Sequence, residues 1–332
     1  MILHDRRALK NAADRSLTAY PLDSRKIVLI YSGAAMALAL LTTALDFLIQ
    51  HYIEGTGGLS GIGMRSALST VCTVLQIAQA IILPFWEMGY LYCTMKMART
   101  EPQSPAMLLE GFRKWGPVLR WHLLRGVIFV ALAIACYYVS MQIFIITPFA
   151  GNLVTLLEPY LEAIAAGSMP ALDAATMSAI MKAYVPMLVI FAVLYLATAI
   201  PVSYTYRLSG YALLDVPKRG ALVALRNSRK MMRGNRLALF KLDLSFWWYY
   251  VLQVLLALLA YGDVILSLLG VELPWSDNVS FFVFYVLFHI CQLALFILVR
   301  NKVEVTYVHA YDTLHEPVQP EESAPRQQPW NY

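Results

Sequence analysis

Apolar residues in this chain gather into long unbroken runs, and charged residues fall between them. Six runs stand out: Ile27–Gln50, Ala67–Trp86, Gly126–Ile146, Tyr184–Ser203, Phe246–Leu269 and Phe281–Val299. About 20 helical residues, rising about 1.5 Å each, cross the hydrocarbon of a bilayer. The runs meet that length and are too long and unbroken for the strands of a membrane barrel. The pattern predicts an all-α fold: a polytopic integral membrane helix bundle of about six transmembrane helices, with interfacial amphipathic helices on the cytoplasmic side.

Composition agrees. Mean hydropathy is +0.58, with 59% hydrophobic and 14% charged residues, which no soluble domain of this length would carry. Residues 1–26 are polar and of mixed charge, including Asp5, Asp14 and Asp23, so the first run reads as a signal anchor rather than a cleaved signal peptide.

The cations alternate from segment to segment, and basic loops resist translocation. Arg6, Arg7, Lys10, Arg15, Arg25 and Lys26 precede the first run. Lys96, Arg99, Arg113, Lys114, Arg120 and Arg125 lie between the second and third. Arg207, Lys218, Arg219, Arg226, Arg229, Lys230, Arg233, Arg236 and Lys241 lie between the fourth and fifth, and Arg300, Lys302 and Arg326 follow the sixth. The intervening segments hold Arg65 and Lys182 as their basic residues, beside Glu54, Glu158, Glu162, Asp173, Glu272 and Asp277. Both termini are expected in the cytoplasm of a bacterial cell whose inner membrane the chain spans. The net charge of +5 then belongs to topology and not to nucleic-acid binding.

Three regions are expected: a cytoplasmic basic N-terminal arm (1–26), a transmembrane domain (27–314) and a disordered proline-rich cytoplasmic tail (315–332). The outer segment Pro148–Lys182 has room for a short helix around Leu153–Ala166 but not for a core of its own. Within the membrane domain one order of parts occurs twice. Leu83-Pro84 leads through aromatic residues to Gly89-Tyr90, then to prolines 102 and 105 and a basic amphipathic stretch, Ala106–Lys114. Ile200-Pro201 leads likewise to Gly210-Tyr211, Pro217 and the stretch Ala221–Lys230. Such an order suits a parallel duplication, and equally two independent solutions to one interfacial composition.

In the second stretch Ala221, Ala224, Leu225, Ser228, Met231 and Met232 share one helical side, and Arg219, Arg226, Arg229, Lys230 and Arg233 the other. Such a helix can lie on the inner leaflet, apolar face down and cations among lipid phosphates, or pack on the protein with its charges solvated. Asp215 and Pro217 suit a helix start there, and Phe246–Tyr250, with Trp247 and Trp248, suits an interfacial aromatic belt.

Three motifs in this region resemble those of a bacterial membrane family, the domain of unknown function 975. They are Tyr206–Pro217 (Tyr…Tyr-x-Leu-x-Asp-x-Pro), Ser228–Arg236 (Ser-Arg-x-x-Met-x-Gly) and Leu239–Phe246 (Leu-Phe-x-Leu-x-Leu-Ser-Phe). Gly89-Tyr90 and Leu109–Arg113 are similar to the family's first half. The resemblance covers roughly residues 1–315 and implies a bacterial multi-pass membrane protein with no agreed activity.

Ionisable groups within the apolar runs are the candidates for chemistry, since each costs about 2.5–3.5 kcal/mol at the bilayer centre. They are Asp46, Glu87, Asp263 and His289. They suit either a proton- or cation-linked path or interhelical hydrogen bonding. Cys72, Cys93, Cys136 and Cys291 sit in or beside apolar runs, as small core residues rather than disulfide or zinc ligands. The glycine run 55–63 lacks the strand and the Gly-Lys-Ser/Thr of a phosphate loop and suits a turn. His309 and His315 have no standard metal spacing. No catalytic residues, metal or cofactor are assigned, and the chain is not expected to be an enzyme. Its expected partners are membrane lipids of the anionic inner leaflet, and a protein partner or second copy of the chain. The first functional reading is a membrane-organising or accessory protein whose basic inner segments contact anionic lipid or a partner. The alternative is a small-solute or ion transporter.

Overall fold

The computed structural model describes residues 5–55, 59–167, 173–268, 271 and 277–315. All regular elements among them are helical. Five helical stretches are long and apolar enough to cross a membrane: Pro21–Ile49, Ser66–Ala98, Trp115–Ile146, Ala175–Asp215 and Val279–Leu314. Arg236–Leu244 and Trp247–Ala260, taken together across a 66° bend, supply a sixth. In the test windows of the five, only 11 to 22% of residues are buried within the protein. Apolar faces left uncovered to that extent require lipid. The chain is an all-α, polytopic membrane protein.

The helices run past the apolar segments that announce them. We number them α1 (Arg6–Ala19), α2 (Pro21–Gly55), α3 (Leu59–Ala98), α4 (Glu110–Arg113), α5 (Trp115–Ile146), α6 (Pro148–Ala165) and α7 (Ala174–Tyr206). There follow α8 (Ser209–Asp215), α9 (Ala221–Met231), α10 (Arg236–Leu244), α11 (Trp247–Ala260), α12 (Gly262–Leu268), α13 (Asp277–Leu295) and α14 (Asn301–Leu314). A π-helical turn, Phe296–Arg300, joins α13 to α14 without a break. With 40 residues, α3 is roughly twice the length a bilayer needs. Gly61 and Gly63 of the glycine run belong to it, whereas Gly57 and Gly58 lie outside the described residues. Of the expected tail, residues 316–332 also lie outside them.

The chain divides into two compact units, Met1–Leu119 with Leu208–Tyr332, and Arg120–Arg207. In the second, the 18-residue helix α6 is longer than the short one expected there. It packs on α7, with Leu153 and Met187 clustered beside Phe144 of α5 and flanked by Ala150, Leu157, Ile180 and Ala183. The thiol of Cys136 meets the hydroxyl of Thr198 at 3.3 Å, joining α5 to α7.

The first unit has its tightest core where hydropathy falls. Met88, Tyr90, Cys93, Met97, Leu108, Leu208, Leu213, Tyr307, Val308, Ala310 and Tyr311 are almost wholly buried. The end of α3, the whole of α8 and most of α14 therefore pack on one another, not on lipid. Glycine permits the closest approach. A Cβ at Gly89 would lie 1.8 Å from the Leu108 carbonyl oxygen, and one at Gly111 would lie 1.9 Å from that of Phe85. The 3₁₀ turn Pro105–Leu109 and α4 thus rest backbone to backbone on α3, with Phe85 stacked on Phe112 at 5.5 Å.

Within the arm expected at residues 1–26, Arg6–Ala19 is helix and Pro21 opens α2. Asp5 caps α1, accepting from the Ala8 amide at 3.0 Å. Leu9, Ala13 and Ser16, at i, i+4 and i+7, form a buried stripe that packs mainly on α14. Surrounding charges hide that stripe from a reading of composition alone.

Candidate functional site

Helix α14 gathers the polar contacts of the first unit. The Tyr90 hydroxyl donates to the Asn301 carboxamide oxygen at 2.9 Å, and Asn301 Nδ2 donates to the Ser24 carbonyl at 2.7 Å. The Tyr211 hydroxyl donates to Glu304 at 2.9 Å. Arg99, just beyond α3, pairs with Asp215 of α8 and Asp312 of α14, both at 2.9 Å. Burial works against the Arg99 charge, but its bonds to Asp312 and Asp215 outweigh this and raise its pKa. Asp215 also accepts from Tyr311 at 3.2 Å. Asp215 is therefore not the cap expected for the basic helix. It closes α8, and α9 starts instead at Gly220, whose φ of +78° suits glycine. His309 lies 3.0 Å from the Ser16 hydroxyl, and His315 stacks on Tyr311.

All five cations predicted for the basic face, Arg219, Arg226, Arg229, Lys230 and Arg233, are exposed, as are Trp247 and Trp248. The opposite face does not wait for lipid. Ala221, Ala224, Leu225, Ser228 and Met232 are buried, and α9 packs on the buried helix α8. Of the two arrangements open to this segment, the structure has the packed one. An apolar face already covered by the protein cannot enter a leaflet, and what the segment leaves exposed is its cations.

The intramembrane candidates do not assemble into one path. Asp46 accepts from the Cys72 thiol at 2.9 Å and from Gln76 at 3.5 Å, between α2 and α3. Glu87 is exposed on α3. Asp263 on α12 has a buried carboxylate oxygen without a hydrogen-bond partner among the described residues. His289 alone of the four lines a cavity of about 210 Å³, of mixed polar and apolar lining, between α2, α3, α13 and the π-helical turn. Its Nδ1 lies 3.0 Å from the Tyr285 carbonyl.

The cavity brings His289 together with Tyr31, Ser32, Gln79, Gln292 and Arg300. Arg300 is the residue that sequence reasoning passed over, since it counts there as one more inner-side cation. Its guanidinium lies 4.8 Å from the Tyr31 ring, 5.0 Å from Tyr90 and 4.5 Å from Phe296, and it donates to the Tyr31 hydroxyl at 3.3 Å. Among the described residues, no carboxylate pairs with it. Its place immediately after the sixth apolar run was the available signal.

The arrangement can hold a negative group and shows no cluster of metal-ligating side chains among the described residues. A family model described as "Protein of unknown function (DUF975)" matches residues 6–307. The chain belongs to this family. Comparison with curated proteins and with solved structures finds no match.

The residues that carry the DUF975 resemblance can now be placed. Tyr211 and Asp215 of the first motif meet Glu304 and Arg99. In the second, Ser228 is buried and Gly234 holds a φ of +86°. In the third, Leu239, Leu242 and Phe246 are buried, and the Lys10 ammonium lies 4.0 Å above the Phe246 ring. Burial and the neighbouring Lys302 and Arg6 lower the Lys10 pKa. The motifs chiefly build the core at this end of the first unit.

Proposed function

We propose that this DUF975 member is a membrane-organising or accessory protein of the bacterial cytoplasmic membrane, whose basic face engages anionic lipid. The supporting observation is the exposure of Arg219, Arg226, Arg229, Lys230 and Arg233 around a helix whose other face is fixed to the protein, beside exposed Trp247 and Trp248. Each cation near an anionic leaflet contributes about 1 kcal/mol, and anchoring on α8 holds the cations in place without a separate ordering cost. The alternation of Lys and Arg along the chain supports a cytoplasmic position for this face and for both termini. This reading assigns the chain no catalysis and no cofactor. A protein partner or a second copy of the chain with an acidic surface would use the same cations.

Brominated lipids test the reading on the full chain in bilayers. Brominated phosphatidylglycerol is expected to quench tryptophan fluorescence more than brominated phosphatidylcholine. The preference should vanish in the variant R226Q/R229Q/K230Q/R233Q and weaken with salt. Equal quenching by both lipids in the unaltered protein would refute the reading.

A second reading, transport of a small solute or ion, is favoured by the cavity at His289 and Arg300. Proteoliposome flux that is lost in H289A and kept in E87Q would place the conduction path in that cavity.

A further inference from the structure

We propose that the cavity around Arg300 is a binding site for a phosphate oxyanion, distinct from the basic face of α9. Four observations converge on it.

The first is charge. Arg300 stands beside three aromatic rings, Tyr31, Tyr90 and Phe296, and pairs with no carboxylate among the described residues. The nearest acid along the helix, Glu304, accepts from Tyr211 instead. Ring faces offset part of the desolvation of a guanidinium, and they hold its plane in one orientation. A fixed fork of N–H donors that no carboxylate engages directly, with Glu304 one turn away and bonded to Tyr211, is prepared for an anion.

The second is an unmet hydroxyl. Ser32 lines the same cavity, is only 6% exposed, and its Oγ has no hydrogen-bond partner among the described residues. A buried polar atom left unpaired is costly, and an oxyanion supplies the acceptor. With Tyr31, Gln79 and Gln292, donors then come from three helices and the π-helical turn. Donors from several directions suit a tetrahedral phosphate better than a planar carboxylate.

The third is backbone. The π-helical turn Phe296–Arg300 ends on the arginine itself. Such turns inside helices are frequent at functional sites.

The fourth is size and depth. About 210 Å³ is below the roughly 300–1,000 Å³ that encloses a drug-sized ligand, so the cavity takes a headgroup or small ion. Ala35, Met36, Ala39, Leu83, Leu293 and Phe296 give it an apolar flank. Arg300 follows directly on the apolar run that ends at Val299, which sets it at the level of lipid phosphates.

The ligand is thus a phosphate oxyanion, carried by an anionic lipid or free in solution. The test uses the purified full chain in detergent, delipidated, with its thermal unfolding followed at constant ionic strength. Inorganic phosphate is added in one arm, phosphatidylglycerol in a second, and phosphatidylcholine and sodium chloride serve as controls. Stabilisation by phosphate alone identifies a free anion. Stabilisation by phosphatidylglycerol but not phosphate, with that lipid retained in native mass spectra, identifies a headgroup.

In either arm R300Q should weaken the apparent affinity by about tenfold or more, one charge-assisted hydrogen bond. S32A should weaken it about fivefold while leaving the ligand-free unfolding temperature unchanged, a combination that a purely structural serine cannot produce. If R300Q does not fold, R300K, which keeps the charge and loses the fork, carries the test with S32A. The R226Q/R229Q/K230Q/R233Q variant should lose only the part of the phosphatidylglycerol response owed to the α9 face and keep the part that R300Q and S32A remove, so this site and the α9 face fail or stand separately. No stabilisation by phosphate or phosphatidylglycerol, or equal stabilisation in the unaltered protein, S32A and the arginine variant, would overturn the proposal.

Discussion

The hydroxyl of Tyr90 is bonded at 2.9 Å to the carboxamide of Asn301, 211 residues further along the chain. Both side chains are buried, and Asn301 passes the contact on to the Ser24 carbonyl, so one bond chain ties α3, α14 and the start of α2. Tyr211, which like Tyr90 follows a glycine, bonds Glu304 three residues further along α14. The two Gly-Tyr dipeptides of the repeated pattern therefore address one face of one helix.

Replacing Asn301 should cost more than replacing Tyr90. In N301L the Tyr90 hydroxyl and Ser24 carbonyl both lose their partner, at about 1–3 kcal/mol for buried groups. In Y90F one bond is lost and one buried group, the Asn301 carboxamide oxygen, is left without its donor, for about 1–2 kcal/mol. Thermal unfolding in detergent should rank the unaltered protein above Y90F and Y90F above N301L. The reverse order would remove α14 from its central place.

Glycine contacts give a sharper contrast. G89A drives a methyl into the Leu108 backbone, which cannot rotate away as a side chain could, and should cost at least about 3 kcal/mol. G116A meets nothing within 4 Å and sits in the first turn of α5, where alanine favours helix. It should leave stability unchanged or raise it slightly. Folded yield and unfolding temperature of the two variants measure this directly.

These positions also show what the sequence could and could not disclose. The spans were legible because lipid contact demands apolar residues without interruption, as in Gly126–Ile146. The ends of the helices were not. Met88–Ala98 and Asn301–Leu314 are largely buried by protein, with side chains such as Tyr90, Thr94, Thr306 and Tyr311 that read as interfacial polarity. The stripe Leu9, Ala13 and Ser16 lies among charges, so α1 passed for a basic arm. At the candidate site, His289 stood out as an ionisable group in an apolar run. Arg300 lay one residue outside its run and merged with the topological cations, and Ser32 carries no signal of its own until its burial is known.

The Arg99 bridge should behave as a coupled unit. R99Q leaves Asp215 and Asp312 side by side without their shared cation and should cost about 1–3 kcal/mol, a range set by partial exposure of all three. D215N should cost less, and R99Q/D215N less than the two single changes together. Strict additivity in the unfolding free energies would show that the bridge contributes nothing.

The docking of α9 can be probed through two leucines three residues apart. Leu225 is 6% exposed and Leu222 is 66% exposed. L225D should cost about 3 kcal/mol or more, an unpaired carboxylate in a packed face, whereas L222D should leave the fold intact. Equal tolerance at both positions would free α9 from the protein and restore the leaflet-embedded arrangement.

Topology tests the central claim most directly. The chain should thread the membrane about six times with every basic segment on the cytoplasmic side. Single cysteines would be placed at position 229 in α9 and position 158 in α6, in a chain whose own cysteines are replaced by alanine. A membrane-impermeant thiol reagent applied to intact cells from which the outer membrane has been removed should label E158C and spare R229C, and should label R229C only after lysis. Labelling of R229C from outside the intact cell would contradict the account.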